Sequence, residues 1–300
     1  MAIVAARAIE KKNRFIIPST VAGTVACSFM KAVLLARGLG SRMQQPVEAS
    51  SLSAAQAAAA AAGVKGMMPI GNGRARPFLD YVLSALADAG CTSVCFVVAP
   101  EHSHIRDYYD GVGRPSRLKL DYAIQPIANG TARAVQSAQS FVDHAPFLVL
   151  NSDNLYPTHV LKELAQLDGP GLPAYRRDSL VNESGFPAER VTGFAAIEVD
   201  AGGNLRRIVE KPGRDYYDAA GPDALISMNL WRFDDEIFDA CREVPLSARG
   251  EYELPEAVGL AVARGVRFRT FAATGAVLDL SRRSDVALVS KRLTGVEVRP

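Results

Sequence analysis

The chain has 300 residues, 48% of them hydrophobic, and 34 basic against 32 acidic side chains leave a formal net charge of +2. That length carries one large α/β domain or two small ones, and the balanced charge gives no footprint for nucleic acid or an anionic membrane surface. Cys27, Cys91, Cys95 and Cys241 form no Cys-x-x-Cys pair and the four histidines show no metal spacing, so buried reduced thiols are expected rather than a zinc site.

Residues 1–29 precede what reads as the first strand. Lys11, Lys12 and Arg14 ahead of Phe15-Ile16-Ile17 and an apolar run to Cys27 have the outline of a short export signal. Pro18 interrupts that run, and Met30-Lys31-Ala32-Val33 reads as a natural start, so a non-core N-terminal extension is expected over 1–29 and one domain over 30–300. Ala32 to Ala36 is a continuous apolar run, the pattern of a strand buried on both faces. Gly38 and Gly40 then permit a tight turn and close approach to a ligand, and Arg42 adds a fork of donors suited to phosphate oxygens. Strand, glycine loop and arginine make a candidate polyphosphate cradle at the carboxyl end of a first strand. The Gly-Lys-Ser/Thr ending of a Walker A loop and the third glycine of the dinucleotide fingerprint are both missing.

An insertion, Gln44 to Gly63, contains the alanine run Ala57 to Ala62. Ser53 offers an N-cap to a helix there, which reads either as a solvent-facing segment or as a flap over the cradle. Val64 to Ile70 brings Lys65, a point charge on a long stem that can follow phosphate as charge moves. Pro77 to Ala89 carries Phe78, Leu79, Val82 and Leu86 on one face, as a packing helix does. Ser93 to Ala99 is the next buried strand, and His102 and His104 are expected as solvent-facing loop residues. Leu118 to Gln125 alternates like a strand and runs into Gln125-Pro126 and Gly130-Thr131-Ala132. An amide can donate and accept at once, and a glycine backbone can approach a flat ring; Thr131 also starts a helix with Ala134, Val135, Ala138 and Phe141. Phe147 to Leu150 delivers Asn151-Ser152-Asp153-Asn154, a carboxylate at a strand's carboxyl end where ligands and hard cations collect, although such a pair is often only a turn. Phe194 to Asp200 and Leu205 to Val209 read as a hairpin leading into Glu210-Lys211-Pro212. Ala224 to Phe233 reads as a further strand, and Val266 to Ala272 with Gly275 to Asp279 as the strands that complete the sheet.

Taken in order, these segments resemble the sugar-1-phosphate nucleotidylyltransferases, the enzymes that make nucleotide sugars. Met30 to Met43 resembles their opening Leu-Ala-Ala-Gly-x-Gly-Ser/Thr-Arg-Leu/Met, with Arg37 where alanine is usual. Val64 to Ile70 matches Lys-x-Leu-Leu-Pro-Val, Ser152-Asp153-Asn154 matches Ser-Asp-Asn, and Glu210-Lys211-Pro212 matches Glu-Lys-Pro. Ser247 to Leu254 resembles the Ser-Ala-Arg-Gly-Glu-Leu-Glu-Ile of glucose-1-phosphate thymidylyltransferases, and Val277-Leu278-Asp279 stands at the Trp-Leu-Asp position, without the tryptophan. The resemblance runs from Met30 to about Asp285. It implies a three-layer α/β/α Rossmann-like nucleotidyltransferase fold with a mixed, mostly parallel central sheet.

It also implies roles. Ala36, Gly38, Gly40, Gln125, Gly130 and Thr131 would hold the nucleotide, and Arg42 and Lys65 would serve catalysis. Asn154, Glu210, Lys211 and Arg249 would hold the sugar phosphate, and Asp153 and Asp279 would hold Mg²⁺. The implied reaction is attack by a sugar 1-phosphate on the α-phosphorus of UTP or dTTP, in the cytoplasm, without nucleic acid or membrane. Relatives commonly assemble, which leaves a homo-oligomer open. Two other readings stay open at this point: a cytidylyltransferase for a non-sugar phosphate such as phosphocholine, and a catalytically inactive regulatory homologue.

Overall fold

The computed structural model describes residues 30–38, 40–45, 52–71 and 75–300. The expected N-terminal extension, with Cys27, lies outside them, as does the middle of the insertion. The strands in chain order are β1 (Met30–Leu35), β2 (Pro69–Ile70), β3 (Arg76–Pro77), β4 (Cys91–Val98), β5 (Lys119–Ile124), β6 (Phe147–Asn151) and β7 (Asn154–Leu155). They continue with β8 (Gly171–Arg176), β9 (Ala195–Val199), β10 (Leu205–Val209), β11 (Leu225–Ser227), β12 (Leu230–Phe233), β13 (Arg269–Ala273) and β14 (Leu278–Asp279).

A ten-stranded mixed sheet runs β10-β9-β11-β8-β12-β6-β1-β4-β5, with β13 also on β8. From β6 to β5 every ladder is parallel, so the carboxyl ends of β1, β4 and β6 share one edge. The strands from β12 to β10 are antiparallel to their path neighbours. In β1, Ala32 and Leu34 face one apolar layer while Val33 faces the other. Helices cover both faces, Phe78–Asp88 and Thr158–Ala165 on the first and Thr131–Ser137, Ile237–Glu243 and Leu254–Ala263 on the second. The layered architecture is the one the sequence implies.

Three local expectations are corrected. Ala224 to Phe233 is two strands, not one: the chain breaks at Met228-Asn229, where Asn229 takes a left-handed φ of 57°, and resumes on the other side of β8. Gly275 to Asp279 does not join the main sheet; β14 pairs with β7, outside it. His104 is exposed as expected but lies in the helix Ser103–Asp110 and not in a loop, with half-buried His102 at the N-cap position without a side-chain cap bond, because that segment buries Ile105 and Tyr109 at helical spacing.

The helix Phe78–Asp88 is buried around most of its circumference, not on one face alone, and it carries a buried carboxylate. Asp80 is 1% exposed and accepts from Tyr109 Oη at 2.9 Å, Arg76 Nη1 at 3.2 Å and Tyr108 Oη at 3.3 Å. Burial nevertheless holds its carboxyl above the ordinary value, outweighing these donors. A carboxyl raised in the folded state binds protons that the unfolded chain has already released, so stability should fall as pH rises from the ordinary value through the raised one. Asp80→Ala strands the buried Tyr109 hydroxyl and is expected to cost about 2–3 kcal/mol in urea unfolding. A loss below about 0.5 kcal/mol would mean that the network adds nothing. The described cysteines behave as expected: Cys91, Cys95 and Cys241 are buried, and burial pushes their thiols up to about 12, so they stay neutral and inert.

Candidate active site

Two adjoining cavities lie at the carboxyl ends of β1 and β6. One, of about 420 Å³, is lined by Ala36, Gly38, Gly40, Lys65, Gln125 and Gly130. The other, of about 640 Å³, is lined by Asn154, Glu210, Lys211, Arg249 and Asp279. Arg42, Thr131 and Asp153 border both. Every residue given a site role from the sequence therefore lies along one cleft, at the sheet edge where open α/β folds gather ligands.

The glycine loop is braced from behind. Gly40 has a φ of 64°, which favours glycine, and its carbonyl accepts from Met43 N at 2.8 Å and Gln44 N at 3.0 Å. A methyl there would overlap the backbone of Gly63. The helix Ala54–Ala61 forms as expected, with Ser53 and Gln56 in a reciprocal capping box. None of its residues lines either cavity, whereas Gly63 to Gly66 do, and the helix packs behind the loop. Its Gln56 Nε2 donates to Pro69 O at 3.0 Å.

At the far end of the same cavity, Gln125 is buried and its Nε2 donates to Gly130 O at 3.0 Å. Gly130 has a φ of 118°, and its α-carbon packs against the Tyr252 backbone with no room for a side chain. Tyr252 N donates to Asn129 O at 2.8 Å, and Ala132 N to Tyr252 O at 2.9 Å. Thr131 starts its own helix, yet its hydroxyl accepts from Leu254 N at 2.9 Å, satisfying the first turn of the helix Leu254–Ala263. The Gln125–Thr131 loop and the segment that carries Arg249 are stitched together. Gly130→Ala should force them apart, costing on the order of 1–3 kcal/mol in backbone strain alone. A lowered Tm and loss of turnover together would bear this out; a variant with both intact would show that the stitch is dispensable.

The two aspartates meet because of the pairing that the sequence did not reveal. Asp279 lies opposite Asn154 in the β7–β14 ladder, and Leu280 N donates to Asp153 O at 2.8 Å. Lys65 Nζ contacts Asp153 Oδ2 at 2.9 Å, each side chain 18% exposed, and Ser281 Oγ donates to the same oxygen at 3.3 Å. Asp279 Oδ1 accepts from Arg190 Nη2 at 2.8 Å and from Ser281 N at 2.8 Å. Burial holds the Asp279 carboxyl above its ordinary value and the negative Asp153 pushes the same way, while Arg190 and Ser281 pull it back. Arg190 also bonds Asp285 Oδ1 at 2.7 Å. Neither Asp153 Oδ1 nor Asp279 Oδ2 has a hydrogen-bond partner among the described residues. Two uncommitted hard oxygens from neighbouring carboxylates fit Mg²⁺, which takes one or two carboxylates and completes its shell with water and substrate phosphate. No cluster of three or more potential ligands occurs among the described residues.

In the larger of the two cavities, Lys211 adopts a left-handed φ of 42° immediately before Pro212, a strained arrangement for a non-glycine residue. Burial raises the Glu210 carboxyl, with Glu253 pushing the same way and Lys211 and Arg249 opposing. Arg249 Nη1 lies 3.4 Å from Glu253 Oε1, and Ser247 Oγ donates to that oxygen at 2.9 Å. Sequence reasoning missed Arg190, Ser281 and Glu253. Glu253 sits inside the Ser247–Leu254 match, but Arg190 shows no signal, since its partner Asp279 lies 89 residues away.

Arg283 ties the segment after Asp279 to the glycine loop, its Nε donating to Met43 O at 2.8 Å. No helix among the described residues is long and apolar enough to cross a membrane.

Comparison with known proteins agrees with this architecture. The chain is 25% identical over 269 residues to the UTP–glucose-1-phosphate uridylyltransferase AglF of Haloferax volcanii, covering 88% of this chain and 96% of that one. It is 26% identical over 258 residues to a glucose-1-phosphate thymidylyltransferase of Actinoplanes sp., covering 85% and 75% respectively. Against the low-salt glycan biosynthesis nucleotidyltransferase Agl11 of Haloferax volcanii it is 24% identical and spans only 64% of that protein's length. A crystal structure of UDP-glucose pyrophosphorylase complexed with UDP-glucose superposes with a TM-score of 0.69 at 18% identity, over 88% of this chain and 98% of the other, which establishes the shared fold. The family profile described as nucleotidyl transferase matches residues 31–286. With that match spanning most of its length, the chain belongs to the nucleotidyl transferase family of enzymes.

Proposed function

We propose that this enzyme transfers a nucleoside monophosphate from UTP or dTTP to a sugar 1-phosphate, with glucose 1-phosphate favoured, releasing pyrophosphate and a nucleotide sugar. The observation that carries the reading is the sharing of Arg42 and Asp153 by two cavities, one glycine-lined and one holding Lys211 and Arg249. Two phosphate-bearing substrates could then meet at one point. The activities for which AglF and the thymidylyltransferase are named support the same chemistry.

The nucleophile is the substrate's own phosphate oxygen, which attacks the α-phosphorus as the bond to pyrophosphate breaks. No enzyme nucleophile is needed, and the protein's task is in-line positioning and charge neutralisation. Ala36, Gly38, Gly40 and Thr131 border the nucleotide, with Gln125 and Gly130 at the base edge. Arg42 and Lys65 stabilise the departing pyrophosphate; Lys65 has a stem long enough to turn from Asp153 toward it. Lys211 and Arg249 hold the incoming phosphate against its repulsion by the triphosphate, and Asn154 and Glu210 bond the sugar hydroxyls. Asp153 and Asp279 would hold Mg²⁺, which supplies Lewis-acid stabilisation of the α-phosphate and the leaving group.

The test is a matrix of nucleoside triphosphates against sugar 1-phosphates, read by pyrophosphate release with and without Mg²⁺. Metal-dependent release with UTP or dTTP and glucose 1-phosphate is the expected result. Release only with CTP and a non-sugar phosphate, or none with any pair, would overturn the proposal.

A further inference from the structure

Arg37 stands where the family usually carries alanine, and its guanidinium clasps the loop that begins at Gln125. Nε donates to Gln125 O at 3.0 Å and Nη2 to Pro126 O at 3.3 Å. These carbonyls open the loop that holds Gln125 and Gly130, and Arg37 lines the same cavity as both. The clasp consumes two of the five guanidinium N–H groups; the other three, including both on Nη1, have no partner among the described residues.

Gln125 complements this donor. Its Nε2 donates to Gly130 O at 3.0 Å and to Asn129 Oδ1 at 3.3 Å. A backbone carbonyl can only accept, so the amide nitrogen, and not the oxygen, must face Gly130. Both amide hydrogens are thereby committed, and only the Oε1 acceptor is left for a ligand. A donor-rich guanidinium and a single-purpose acceptor line one wall.

We infer that Arg37 is a base-discriminating residue: paired with Gln125 Oε1, it selects the imide edge of uracil or thymine, a ring N–H flanked by carbonyl oxygens. The ring N–H meets the Gln125 oxygen, and a flanking carbonyl meets Arg37. Cytosine and adenine present a ring acceptor to Gln125, which turns that contact repulsive, and on the exocyclic amino side of the ring a donor to Arg37, which turns the second repulsive as well. Guanine offers one carbonyl beside its ring N–H and is the competitor to include. This inference rests on the proposed nucleotide end of the cleft and adds to it the residue that tells the bases apart.

The experiment measures kcat/KM and calorimetric affinity for UTP, dTTP, GTP, CTP and ATP on the full chain, on Arg37→Ala and on Arg37→Lys, with thermal melts to confirm folding. The expected result is a preference for UTP and dTTP in the wild type that falls roughly ten- to hundredfold in Arg37→Ala, mainly through weakened UTP and dTTP. Arg37→Lys, which keeps a donor but loses the two-carbonyl clasp, should recover part of it. Equal losses for all five triphosphates would reduce Arg37 to a brace of the loop and overturn the inference. An unchanged UTP-to-CTP ratio would do the same, as expected if cytosine slides along the edge to satisfy both groups. Either result leaves the nucleotide site standing, whereas failure of every triphosphate to bind the wild type would remove both.

Discussion

Asp153→Asn is expected to lower turnover by roughly 10²- to 10³-fold without unfolding the protein. The amide keeps the shape of the carboxylate, and its oxygen can still accept from Lys65 and Ser281, which contact Oδ2. Its nitrogen then occupies the Oδ1 position, the oxygen left uncommitted, and presents hydrogens where a cation would bind. Asp279→Asn should act the same way: the oxygen retains Arg190 and Ser281 N, and the amino group replaces Oδ2. Asp279 carries an added cost, because its side chain is only 10% exposed and Arg190 would be left with Asp285 as its one full charge partner. Single-turnover kinetics at saturating substrate, with melting curves for both variants, separate lost chemistry from lost fold. Turnover within about tenfold of wild type in a folded Asp153→Asn protein would defeat the metal assignment.

Lys211→Ala and Arg249→Ala should each raise KM for the sugar 1-phosphate by roughly ten- to hundredfold, the worth of one charge-assisted hydrogen bond, with nucleotide affinity spared. The two cations line the larger cavity only, away from Gly38, Gly40 and Lys65. Arg249 also faces Glu251 and Glu253, so its removal leaves carboxylates, with Glu210 nearby, where a phosphate must enter. Separate KM values for the two substrates read the difference. A loss confined to the triphosphate would mean that the two phosphate subsites are reversed.

The strands that build the floor of the cleft were legible because each is a continuous apolar run, as in Ala32 to Ala36 and Phe147 to Leu150, and such runs have few alternatives to a buried parallel strand. The break at Met228-Asn229 was not, since Ala224 to Phe233 is mostly apolar, with Ser227, Asn229 and Arg232 as its only polar residues, and a left-handed asparagine leaves no periodic signature. The ladder that joins the two aspartates was equally invisible: β7 and β14 have two residues each, too few to show alternation. The site residues emerged from the order of short motifs, each weak alone. What surrounds them did not, because Arg190 reaches Asp279 and Arg37 reaches Gln125 only through the folded sheet. The alanine run predicted its helix correctly through propensity and the Ser53 cap, but its brace on the glycine loop depends on Gly63 meeting Gly40, a contact no local rule anticipates.

Direct attack by the substrate phosphate, with no nucleotidylated enzyme, is the centre of this account, and stereochemistry tests it most directly. A triphosphate made chiral at the α-phosphorus by a single sulfur substitution would be turned over with a sugar 1-phosphate, and the configuration of the resulting nucleotide sugar determined. One in-line displacement predicts inversion. Retention would require two displacements and an enzyme nucleophile in the cleft, and would contradict the mechanism built on Asp153, Asp279 and the surrounding cations.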